Sequence, residues 1–148
     1  MGASGWWYVT PYQEDFGQAL GALRAEVLAS GDYVDPSKWG MPALRSPDDL
    51  FENEIYWEFL GACGTHSVLD VNRVIDAEAE PGFGTVRPAG PEAILERYGT
   101  DQPTRDDLAD PDEQLPMMDT MPRWSGSCMV LYADGVPDEI VFWGVSGD

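Results

Sequence analysis

A chain of 148 residues with 43% apolar side chains is one domain's worth, long enough for a real hydrophobic core. Twenty-seven acidic against eight basic side chains give a net charge of −19, which repels nucleic-acid phosphates and anionic membrane. No apolar run approaches the ~20 residues that span a bilayer, and the start, MGASGWWYVTPYQ, has neither a signal peptide's basic region nor its apolar core.

The cytoplasm is therefore the expected location, with no nucleic acid and no membrane as partner. Such a surface attracts a basic protein or a cationic ligand instead. A salt-adapted proteome, or a GC-rich genome that avoids lysine codons, yields the same composition, and Lys38 is the single lysine. Two cysteines, Cys63 and Cys128, are too few for a disulfide framework or a structural zinc site. No metal or cofactor is expected.

Residues 6–12, WWYVTPY, read as a first strand, because aromatic and β-branched side chains dominate and Pro11 closes the run. Residues 14–30 follow as a helix: Phe16, Leu20, Leu23 and Val27 recur at helical spacing, acids open it and Gly31 stops it. Residues 32–45 hold two prolines and no period, so they form a loop.

Residues 46–60 begin with helix-start chemistry in Ser46, Pro47 and Asp49. Their apolar side chains nevertheless point all round a helical wheel, and Ile55, Trp57 and Phe59 also alternate as in a strand. The capping residues and Gly61 favour a helix. The β-branched stretch 67–75 reads as a strand, paired antiparallel across EAEPGFG with a short strand TVRP. A short helix runs from Pro91 to the stop at Gly99. Residues 100–123, with four prolines and seven acids, read as a solvated loop in which Thr104 and Asp107 cap at most one turn. A hairpin turning at Asp134-Gly135 ends the chain. The order predicts a single α+β domain over 1–148: a mainly antiparallel sheet of about five strands with two to three helices on one face.

Three groups of residues invite chemistry. Cys63, His66 and Asp70 are the types of a thiol-nucleophile site, in which a base activates the thiol and a carboxylate orients the base. If 67–75 is a strand, Asp70 lies about 13 Å from His66, too far to bond it. The stretch then reads as a turn with Cys63 packed as a small apolar side chain. Glu54 and Glu58 share a helix face, yet such spacing arises by chance among so many acids. The aromatics form the third group: Trp7, Trp57 and Trp143 are expected in the core, while Trp39 and Trp124 stand on loops.

The leading reading is a non-enzymatic module that binds a basic protein, in the manner of an immunity or antitoxin protein. Asp48, Glu52, Glu54, Tyr56, Trp57, Trp39 and Trp124 would form its surface, because complementary charge speeds association and aromatic rings supply contact area. Two alternatives remain open at this stage. One is a small enzyme or ligand-binding protein with an aromatic pocket, and the other is a housekeeping protein whose acidity belongs to its proteome.

Overall fold

The aromatic run at the start of the chain forms strand β1 (Ser4–Pro11), and the Phe16–Leu20–Leu23–Val27 stripe forms helix α1 (Phe16–Ser30). Asp15 caps α1 by accepting bonds from the amides of Gly17 and Gln18, and Gly31 ends it in the left-handed conformation (φ 76°). The computed structural model describes residues 4–108 and 122–147, so most of the acidic proline-rich loop (109–121) lies outside the described residues.

Helix-start chemistry at Ser46 does not yield one long helix. Asp49 reaches back to accept bonds from the amides of Arg45 and Ser46, at 2.7 and 3.1 Å, and opens a single turn, α2 (Asp49–Glu52). Asn53 adopts an extended conformation and caps a 3-10 turn at 54–56 with its side chain, after which α3 (Trp57–Ala62) begins. The break re-aims the chain, which is how apolar residues on every side of the wheel divide between core and solvent.

The expected strand over 67–75 is mostly a 3-10 turn at 68–70, and only β2 (Arg73–Val74) is extended. The Ser67 side chain accepts from the Leu69 amide, a local bond that overrides the β-branched composition. Strand β3 (Thr85–Pro88) runs parallel to β2, not antiparallel as the sequence predicts. The connection of residues 75–84 is at the short end of what a parallel crossover needs, and no tight turn forces the two strands antiparallel. Helix α4 (Pro91–Tyr98) ends at Gly99 as expected. Strands β4 (Ser125–Ala133) and β5 (Val136–Ser146) form the hairpin, with Asp134 and Gly135 both at positive φ, as such a turn requires.

The sheet order is β1-β5-β4-β3-β2. β5 pairs antiparallel with both β1 and β4, whereas β3 pairs parallel with β2 and β4, so the sheet is mixed within an α+β fold. Alternation along the strands separates two faces. Trp6, Cys128, Ile140 and Phe142 join the large core under α1, α2 and α3, which share one face. Trp7, Val9, Met129, Leu131, Val141 and Trp143 face the other way, where Ile94 and Tyr98 of α4 and Leu108 cover them. Of the three expected core tryptophans only Trp143 is fully buried. Trp6, not among the three, is buried as well, its ring lying where a Cβ on Gly144 or Gly126 would have to go. Among the described residues, no helix is long and apolar enough to cross a membrane.

Candidate functional site

The turn at 63–70 brings Cys63, His66 and Asp70 together after all. The expected 13 Å separation fails because the 3-10 turn folds Asp70 back onto the residues before it. Its carboxylate is fully buried and accepts four bonds: from the Thr65 amide (2.8 Å), the Thr65 hydroxyl (2.8 Å), the His66 amide (3.0 Å) and the Ser146 hydroxyl (2.6 Å). Thr65 and Ser67 share a further hydroxyl bond of 2.7 Å. Asp70 therefore faces the backbone amide of His66 and not its imidazole. Burial lifts its carboxyl above the usual carboxylate range, against the lowering effect of the four donors.

Nucleophile chemistry finds little support in this arrangement. His66 takes a positive φ of 55°, and its buried Nε2 has no hydrogen-bond partner among the described residues. Burial first, and then the charge of Asp70, push the Cys63 thiol upward, so it stays protonated at neutral pH. Cys128 is pushed up to about 12 by burial alone. Both cysteines are free. The turn is packed shut from above: a side chain on Gly64 would meet the Trp124 ring and the Asp70 carboxylate, and one on Gly147 would meet Trp124 again. The cradle ties the end of α3 to the end of β5. Thr65, Ser67 and Ser146 escape a reading by sequence, since small hydroxyl residues carry no periodic signal.

The acidic and aromatic residues singled out in the sequence separate into four places. Trp39, 64% exposed, packs edge-on against Phe59 of α3 at 6.3 Å between ring centroids. Trp57 is 53% exposed and Ile55 48%, on the segment beside it. Glu52, Glu54 and Glu58 are exposed on the same segment, and none of them takes part in an ion pair among the described residues. Tyr56 does not belong to this surface: it is 2% exposed, and its hydroxyl donates to the Pro42 carbonyl at 2.8 Å, fastening that loop to the turn before α3.

Asp48 is spoken for, through Arg24. The buried Arg24 guanidinium on α1 bonds Asp48 (2.7 Å) and the Pro47 carbonyl (2.7 Å) and lies over the Phe51 ring. Sequence reasoning misses this anchor because Arg24 falls beside the apolar stripe of α1. Trp124 stands apart, in a string of rings from Phe51 through Phe83 to Trp124, with centroid spacings of 6.1 and 5.7 Å.

A cleft of about 330 Å³ opens between β3, β4 and the start of α4. Its polar groups are occupied by the chain itself. Arg87 donates to the Ala79 carbonyl, Ser125 to the Pro122 carbonyl and Ser127 to the Arg87 carbonyl. Comparison with protein families, with curated proteins and with solved structures finds no match.

Proposed function

We propose that the protein is a binding module that docks a basic protein, with the exposed Trp39, Ile55 and Trp57 as its apolar contact and Glu52, Glu54 and Glu58 as its charge. The observation that carries this reading is large apolar side chains exposed among acids, Glu52, Glu54 and Glu58, that form no ion pair among the described residues. Residues 35–58 hold six acids and two bases, and Arg24 already claims one of the acids. Charge steers the encounter and weakens as salt screens it, whereas the rings, once covered, hold the complex together. An immunity-like protein that masks a basic toxin is a partnership of this physical type.

The test is capture from the native lysate at low and high salt, with variants that separate charge from contact. The unaltered protein should retain a basic protein at low salt. Glu52→Lys with Glu54→Lys should slow its association, and Trp57→Ala, which keeps every charge, should speed its dissociation by about tenfold or more. Recovery of no basic protein, or equal retention by Trp57→Ala, overturns the reading and leaves the acidity a general property of the chain.

A further inference from the structure

The two edges of the sheet are built differently. β2 is two residues long and carries the exposed Arg73, so that edge has the short length and the charge that discourage pairing with another chain. β1 has neither protection. It is eight residues long, and among the described residues its only strand partner is β5. Residues 1–13 form the longest stretch of the chain without a charged side chain.

Backbone phase fixes which groups of β1 point outward. In an antiparallel pair each residue directs its N–H and C=O to the same side, and the side alternates along the strand. The Tyr12 amide bonds the Asp138 carbonyl of the β5 hairpin at 3.0 Å. Residues of the same phase, Trp6, Tyr8 and Thr10, therefore bond β5, and Gly5, Trp7 and Val9 turn their N–H and C=O to the edge that has no strand partner among the described residues. Pro11 agrees with this phase: it lies opposite Glu139 in an unbroken register and has no N–H to give, which suits only the outward-facing position.

We infer that β1 pairs with β1 of a second copy, antiparallel about a two-fold axis at Trp7. In this register Gly5 faces the partner's Val9, Trp7 faces Trp7 and Val9 faces Gly5, and each of the three gives one N–H and takes one. Centring on Tyr8 sets Gly5 against the donorless Pro11, and a shift in the other direction runs off the end of β1. The two-fold axis keeps like faces together, so the half-buried Trp7 and Val9 of both copies meet on the side that carries Met129, Val141 and Trp143. Charge selects the occupant. Two chains of −19 can approach closely only where neither carries charge, and β1 is the edge that offers this. The inference is independent of the acidic surface.

Sedimentation equilibrium of the purified chain, at low and moderate salt, tests it. A dimer is expected, and its association should strengthen as salt screens the mutual repulsion, the opposite of the salt response of a basic partner. Val9→Pro removes an outward N–H without touching a bond to β5. The variant should fold and associate at least about thirtyfold more weakly, having lost one bond from each copy. Gly5→Pro makes the same test at an exposed position should Val9→Pro fail to fold. Hydrogen exchange reads the phase directly: the amides of Gly5, Trp7 and Val9 should be protected in the dimer and exchange fast on dilution, while Trp6, Tyr8 and Thr10 stay protected throughout. A monomer at all concentrations and salts, or proline variants that still dimerise, overturns the inference. So does protection of the outward amides in a monomer, or capture of a foreign peptide at this edge.

Discussion

Among the described residues Asp70 is a carboxylate with no ion-pair partner, held by two amides and two hydroxyls. Replacing it with alanine strands the Thr65 and His66 amides in the core, and each unsatisfied donor costs about 1–3 kcal/mol. Asp70→Ala should therefore lose on the order of 3 kcal/mol or more in urea denaturation. The pH response follows from the direction of the shift. Burial raises the carboxyl in the folded chain, so below the unfolded value near pH 4 both states are protonated and no charge is buried. As pH rises through the folded value the native state must bury a charge, and stability falls. Asp70→Asn stays neutral, so its stability should fall less between pH 4 and 7 than that of the unaltered protein. Parallel pH profiles for the two would show that Asp70 keeps an unperturbed carboxyl.

Arg24 and the segment it holds set the element scale. Arg24→Met keeps the apolar stem and removes the bonds to Asp48 and Pro47. Asp48 is largely solvated, so the expected loss is modest, about 1–2 kcal/mol. The telling measurement is hydrogen exchange across 46–58, which should speed up more than the rest of the chain. Unchanged protection there would mean that Leu50 and Phe59 suffice to dock the segment.

Elements whose signals are local were legible in the sequence. Asp15 and Gly31 bracket α1, Pro91 and Gly99 bracket α4, and Asp134-Gly135 fixes the hairpin. Stretches decided by remote contacts were not. Residues 67–70 look extended by composition, yet the site they form needs Ser146, 76 positions away. Two-residue β2 is too short to show a period, so its parallel pairing left no trace. At the candidate surface, Glu52, Glu54 and Trp57 could be picked out as acids beside an aromatic ring in a segment without a base. The burial of Tyr56 could not, because it depends on the carbonyl of Pro42 in a loop without pattern.

For the whole molecule the dominant quantity is the charge of −19 spread over one small fold, with only two ion pairs among the described residues to relieve it. Self-repulsion of this size destabilises the compact state and is screened as the Debye length falls from about 30 Å at 0.01 M to 8 Å at 0.15 M. The melting temperature should rise over that range, by about 3 °C for each kcal/mol of repulsion removed. A melting temperature that is flat or falls with salt would mean that the exposed acids are too far apart to repel one another.

The pairing of β1 with β5 also has a consequence for how the protein is made. Of the described strands, the first to leave the ribosome finds its only described partner in the last, Ser4 lying opposite Ser146. At ordinary elongation rates roughly ten seconds separate the two. Through that interval Trp6 and Trp7 have no sheet to enter, and Asp70 waits for the hydroxyl that completes its cradle. Strand β5 thus acts as a latch closed last.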